Sequence, residues 1–253
     1  MSELLSLEAV SRSFDGVAAV TGVSFSMAAG ESVAVIGGGG SGKTTLLDLI
    51  AGALRPDRGG IRFDGREIAG LAANRVAALG IARVFDPPRP FPALSVEDNV
   101  IVGALLRESA VAEARRRAVA LLEPLGLAAL RHRPAAGLQP GARKRLDLAR
   151  ALATRPRLLL LDEMLAGASP DEAAALAETL REIVRRDGTA LLLAEHDRHH
   201  AAALAGRILT LEAGALLFDQ SGLGQPGLGQ PGPGQSVPGR SATGEAASGE
   251  RPS

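Results

Sequence analysis

Residues 36–45 read Ile-Gly-Gly-Gly-Gly-Ser-Gly-Lys-Thr-Thr. The spacing Gly37-x-x-x-x-Gly42-Lys43-Thr44 is that of a phosphate-binding loop. The same stretch also spells a flexible Gly-Ser tether. Position separates the two readings. An apolar strand, "SVAVI", precedes the glycines, and a helix-forming run, "TTLLDLIAGAL", follows them. Between a strand and a helix, the N–H groups of Gly37, Gly38, Gly39, Gly40, Ser41 and Gly42 curl around phosphate oxygens. The helix N-terminus adds positive potential. Lys43 then reaches the β- and γ-phosphates of a nucleotide, the Thr44 hydroxyl is a ligand for Mg²⁺, and Thr45 carries the loop into the helix.

A metal-bound triphosphate needs a second strand that ends in carboxylate. "RLLLLDE" supplies Asp162 to hold Mg²⁺ and Glu163 to polarise an attacking water. A further apolar run, "TALLLAE", delivers His196 to a strand end, where an imidazole can meet the γ-phosphate. His199 and His200 read as surface residues.

These groups require elements that hold them. Continuous apolar runs at 33–36, 158–161 and 190–194 read as strands buried on both faces, hence an α/β fold with a mostly parallel sheet. "LLSLEAV", "VSFSM" and "GGIRFDG" read as strands of an N-terminal β subdomain. "KTTLLDLIAGAL" reads as a helix through Leu54. "VEDNVIVGALL" and "AVAEARRRAVALLEPLG" place a helical subdomain at about 96–143. A further helix starts with Ser169 as N-cap, Pro170 at its first position and Glu172 closing a capping box, and ends at Gly188. The body is expected to span 1–220. From Ser221 to Ser253 the chain is rich in Gly, Pro, Ser and Gln, with an imperfect "GLGQP" repeat, and reads as a disordered tail.

Composition narrows the function classes. The chain has 253 residues, 46% of them hydrophobic, and zero formal net charge. That balance gives no electrostatic footprint for nucleic acid or for a membrane surface. There is no cysteine, which fits a cytoplasmic setting and excludes disulfides and thiol chemistry. No apolar run is long enough to span a bilayer, and no signal peptide is visible at the start. A role at a membrane therefore needs a partner that does the spanning.

The phosphate loop, "LLLLDE", "AGASP" and "AEHD", in that order, resemble an ABC-type ATPase subunit. "RPDRGGIRFDGREIAG", "GIARVF" and "RPFPALSVEDNVIVGAL" are similar to the ATP-binding subunits of branched-chain amino acid importers. The resemblance covers about residues 4–218. It implies a P-loop ABC-type core with an antiparallel β subdomain and a helical signature subdomain. It also implies ATP and Mg²⁺ as ligands, hydrolysis coupled to transport, and a nucleotide sandwiched between two such subunits. The partners implied are a second ATPase subunit, membrane permease subunits and, indirectly, a solute-binding protein. The implied location is the inner face of the cell membrane. Phe14 matches the aromatic that stacks on adenine; ordinary strand-end packing is the alternative.

Several positions depart from the family. Asp86 stands where the family has Gln, which contacts Mg²⁺ and links the site to the membrane partner. The shorter, charged side chain keeps metal-ligating capacity but repels the γ-phosphate. The signature "LSGGQ" is here Leu138-Gln139-Pro140-Gly141-Ala142: a bulky amide replaces the serine hydroxyl, and Pro140 has no N–H to give. Met164 and Ser169 are milder changes. The chain's own loop, Asp162, Glu163 and His196 therefore read as intact, while the signature it lends to a partner reads as impaired. Because the family often pairs two different ATPase chains, the resemblance then implies a heterodimer in preference to a homodimer. The alternative is a degenerate regulatory subunit with little turnover of its own.

Overall fold

The computed structural model describes residues 2–221. Two sheets organise it. Strands β1 (Glu3–Phe14), β2 (Val17–Ala28), β4 (Arg58–Phe63) and β5 (Arg66–Glu67) form an antiparallel sheet in the order β2-β1-β4-β5. The second sheet has the order β10-β9-β3-β8-β7-β6, made of β3 (Ser32–Ile36), β6 (Ile81–Val84), β7 (Leu158–Asp162), β8 (Ala190–Glu195), β9 (Arg207–Glu212) and β10 (Ala215–Ser221). It is parallel except for β10, which returns antiparallel to β9.

The apolar runs are explained by burial on both faces. Leu158 and Leu160 face the core shared with the antiparallel sheet and with α1 (Lys43–Ile50), while Leu159 and Leu161 face the core under the later helices. Leu191 and Leu193 alternate with Leu192 in the same way. The later helices are α3 (Val96–Ala104), α4 (Val111–Leu122), α5 (Pro140–Ala153), α6 (Pro170–Asp187) and α7 (Arg198–Leu204); α2 (Ala73–Leu79) precedes β6. Their apolar faces join one continuous core with the sheet, from Val100 and Leu121 to Leu146 and Leu161. Ser169 caps α6 with the full capping box, Pro170 opens it, and Gly188 closes it in the left-handed conformation, as the sequence predicts.

The boundaries differ in places. Helix α1 stops at Ile50 rather than Leu54, because Gly52 takes φ +72 and the N–H groups of Ala53 and Leu54 both return to Asp48 O. Helix α4 stops at Leu122: Glu123 keeps helical φ/ψ, but Pro124 has no N–H with which to continue the ladder. Strand β10 runs through Ser221, one residue into the expected tail; the rest of the tail lies outside the described residues. Pro140, Gly141 and Ala142 are the first turn of α5 and not part of a loop.

Register brings the chemistry to one edge. Ile36 pairs with Glu195, and Asp162 with Ala194, so β3, β7 and β8 end together. The segments that follow them, 37–42, 163–168 and 196–197, therefore emerge side by side at the carboxyl edge of the sheet. Sterics at the first of these answer the tether question. A Cβ on Gly42 (φ +100) would lie 2.1 Å from Ala19 O, and one on Gly37 would lie 2.2 Å from Leu211 O. A Cβ on Gly38 or Gly39 would meet nothing within 4 Å. Only part of the glycine run is demanded by packing, and that part coincides with the motif.

Gly42→Ala should therefore destabilise the chain by about 3 kcal/mol or more through strain and clash, a fall of roughly 6–12 °C in Tm. Gly38→Ala should leave Tm unchanged or raise it by the equivalent of up to about 1 kcal/mol, through the unfolded state. Thermal unfolding of the two variants without nucleotide checks the contrast; equal losses would contradict it.

Candidate functional site

Helix α1 begins at Lys43, with Gly42 as its N-cap and no side chain capping it. Its first-turn N–H groups are thus left for a ligand. Ser41 is buried and its N–H donates to Gly38 O at 3.2 Å, closing the loop into a turn. Lys43 is buried. Its Nζ donates to Gly37 O at 2.7 Å and to Gly38 O at 2.9 Å, so the ammonium lies directly over the loop. Gly38, Gly39, Gly40 and Thr44 are exposed, and Thr45 is half-buried one residue further into the helix.

Asp162 ends β7 and is buried. Thr44 Oγ1 donates to its Oδ1 at 3.3 Å. Its other oxygen accepts from Arg83 Nη2 at 3.1 Å. Burial pushes the Asp162 carboxyl up, against the opposing pull of the Arg83 guanidinium and the Thr44 hydrogen bond. A hydroxyl and one carboxylate oxygen on facing elements suit Mg²⁺, which takes few protein ligands and completes its shell with phosphate and water. Among the described residues no group of three or more His, Asp or Glu could form a metal cage.

Glu163 follows Asp162 in the left-handed region, at φ +45, with its N–H donating to Ala194 O at 3.0 Å. That conformation is costly for a residue with a Cβ and turns the side chain out of the strand direction. His196 Nδ1 lies 3.7 Å from Glu163 Oε1, so the two predicted catalytic residues are neighbours. Phe14 ends β1 with its ring 39% exposed and Arg12 stacked on it at 4.9 Å. Ala19, on the strand that follows, is the residue Gly42 abuts, so the β1–β2 hairpin runs against the phosphate loop.

The departures take definite positions. Asp86 forms its ion pair with Lys144 at 3.6 Å. Gln139 is the N-cap of α5 without a side-chain capping bond, and it is exposed together with Pro140 and Gly141. Leu138 and Ala142 are buried. Pro140 occupies the first helical position, where its missing N–H breaks no helical bond but removes one donor from the exposed end.

Three residues of the site escaped the sequence reading. Arg83 joins Asp162 to Asp48 of α1. Lys144 Nζ donates to Glu163 O at 2.9 Å and Ala166 O at 3.1 Å, tying α5 to the turn that carries Glu163. Glu195 is fully buried at the end of β8 and accepts from Leu165 N–H at 3.4 Å. Only Glu195 had a visible signal, a carboxylate closing an apolar run.

A cleft of about 310 Å³ opens beside β6, walled by Arg83, Phe85, Arg89, Phe91, Val102 and Arg150. Val102, Leu105 and Leu106 of the α3 segment and Phe91 are exposed, and no helix among the described residues is long and apolar enough to cross a membrane.

The geometry has known counterparts. The sequence model for the ABC transporter family matches residues 20–166. The Fe(3+) ions import ATP-binding protein FbpC of Streptomyces coelicolor is 38% identical over 87% of this chain and 62% of its own length. The methionine import ATP-binding protein MetN of Rhizobium etli is 36% identical over 85% and 60%. The chain thus spans about three-fifths of these relatives. The high-affinity branched-chain amino acid transport ATP-binding protein LivG of Escherichia coli is 33% identical over 85% of this chain and 90% of its own length. A nucleotide-free ATP-binding cassette from an ABC transporter superposes with a TM-score of 0.77 at 26% identity, over 87% of this chain and 92% of that one. An ADP-bound cassette gives 0.78 at 27%, over 88% and 92%. A loop built for phosphate, a carboxylate pair at one sheet edge, and these matches agree: the chain belongs to the ABC transporter family, as one of its ATP-binding cassettes.

Proposed function

We propose that the chain is the ATP-hydrolysing subunit of an importer for branched-chain amino acids or a related small solute. The observation that carries the ATPase reading is the convergence of Lys43, Thr44, Asp162, Glu163 and His196 on the ends of β3, β7 and β8. Lys43 and the loop N–H groups hold the β- and γ-phosphates. Thr44 and Asp162 would hold Mg²⁺, which would supply neutralisation of the phosphate charge. Glu163 orients and polarises the attacking water, and His196 contacts the γ-phosphate beside it. The solute class is supported by "GIARVF" and "SVEDNVIVGAL", and by the LivG relatives, which the chain matches over nine-tenths of their length.

The cleft beside Phe85 and the exposed apolar ridge of Val102, Leu105 and Leu106 suit a cytoplasmic segment of a membrane permease. The altered signature favours pairing with a different ATPase subunit, whose intact signature completes the site on this chain. A degenerate, regulatory reading rests on Gln139, Pro140 and the Asp86–Lys144 pair. Assembly of the chain with permease subunits and measurement of solute-dependent ATP hydrolysis decides between the two.

Lys43→Ala should weaken ATP binding by about 10–100-fold. Glu163→Gln should keep affinity within about threefold while turnover falls by about 10²–10⁴. Equilibrium binding of a fluorescent ATP analogue and phosphate release check both. Wild-type affinity in Lys43→Ala overturns the loop assignment.

Gln139→Ser with Pro140→Gly should return a hydroxyl and an N–H to the exposed end of α5 without disturbing buried Ala142. Where the opposing subunit hydrolyses ATP, turnover should rise by roughly tenfold or more. An unchanged rate in an equally assembled complex would mean that turnover runs on this chain's own nucleotide.

Burial, partly countered by the Leu165 N–H and reinforced by the Glu163 charge, pushes the Glu195 carboxyl up to about 7. Between its ordinary value and 7 the folded chain holds a proton that the unfolded chain has lost. Stability therefore falls as pH rises through that window. Glu195→Gln should match wild type near pH 4.5 and exceed it at pH 8 by up to the order of 3 kcal/mol. Denaturant unfolding at the two pH values checks the sign; a variant less stable at pH 8 would reverse it.

A further inference from the structure

Arg83 takes part in two features that are otherwise separate. Toward the sheet edge its Nη2 donates to Asp162 Oδ2 at 3.1 Å, and its Nη1 pairs with Asp48 on α1. Toward the cleft it is part of the wall, with its guanidinium 4.9 Å from the centroid of the Phe85 ring. Arg89 stacks on the same ring, also at 4.9 Å. The Arg83 side chain is only 5% exposed.

We propose that Arg83 is a positioning residue linking the cleft to the metal-binding carboxylate. It holds Asp162 so that Oδ1 is presented to Thr44, and it transmits to Asp162 any displacement of Phe85. The second half of this inference rests on the permease reading of the cleft.

A guanidinium is a planar fork whose donors serve two carboxylates at once; an ammonium on the same stem does not. Asp48 fixes one arm of the fork, so the other arm fixes one oxygen of Asp162 and leaves the remaining oxygen for Thr44. Asp48 is one turn beyond Thr44 and Thr45 on α1, so the same bridge sets the spacing between the helix and β7. Asp86, at the position where the family's Gln joins site and partner, is engaged with Lys144. Arg83 is a direct side-chain connection from the cleft wall to Asp162, separate from that position.

The test uses the affinity of the full chain for a fluorescent, non-hydrolysable ATP analogue, measured with Mg²⁺ and with EDTA. Loss of a residue that orients a metal ligand characteristically lowers metal affinity 10–100-fold. In Arg83→Gln the Mg²⁺-dependent gain in affinity should shrink by about tenfold while the EDTA value stays put. Arg83→Lys, which keeps the charge without the fork, should lose nearly as much. Asp48→Asn, a change at the more exposed partner of the pair, should lose severalfold in the same arm. An unchanged Mg²⁺-dependent gain in Arg83→Lys and Asp48→Asn overturns the positioning role, as does an equal loss with EDTA.

For coupling, the same gain is measured after assembly with permease subunits. Wild type should shift at least threefold on assembly, and Arg83→Lys should not. A wild-type complex that assembles without a shift refutes the coupling. Failure of the wild type to co-purify refutes the permease reading and the coupling with it, and leaves the positioning role to be judged by the first arm.

Discussion

A carboxylate at the end of an all-leucine strand is the constraint around which this site is built. Asp162 is buried, and a buried charge is tolerated only with partners. The partners found are the Thr44 hydroxyl and the Arg83 guanidinium, each from a different element. Through them β7, α1 and β6 are held at one spacing. A carboxylate that lost them would take up a proton more readily, since burial is already the dominant influence on it. The metal-binding geometry and the packing of three elements are therefore one problem.

On the function proposed here, the chain divides around that point into an intact half and an altered half. The loop, Asp162, Glu163 and His196 are assembled by strand register, which a one-residue slip would destroy. At the α5 end Gln139 and Pro140 stand where that reading expects a serine hydroxyl and an N–H, yet the helix itself starts cleanly there. Lys144 connects the halves: it reaches from α5 to the carbonyls of Glu163 and Ala166 and to Asp86. A change on α5 is thereby mechanically close to the catalytic turn.

Much of this was legible in the sequence because it rests on local rules. The loop spacing, the capping box at Ser169 and the doubly buried strands each follow from the residues in place. The arrival of Glu163 and His196 just past two strand ends follows likewise from the apolar runs, whereas their approach to 3.7 Å is visible only in the structure. What stayed hidden was long-range. Arg83 and Asp48 are 35 positions apart, and Arg83 and Asp162 are 79 apart, and no periodicity marks them as partners. Strands β9 and β10 were missed because "RILTLE" and "ALLFDQ" lack the uniform apolar run of inner strands: β10 is an edge strand, and β9 pairs with it on one side. The end of α1 was misplaced because Gly52 takes a left-handed conformation there that the apolar pattern does not announce.

The segment 37–45, with Asp162, is proposed to receive a metal-bound triphosphate. Structure determination of the chain with a non-hydrolysable ATP analogue and Mg²⁺ is the decisive measurement. Lys43 Nζ should leave Gly37 O and Gly38 O for the β- and γ-phosphate oxygens, and the ion should lie between Thr44 Oγ1 and Asp162. Phosphates bound elsewhere, with Lys43 still on those two carbonyls, would contradict it.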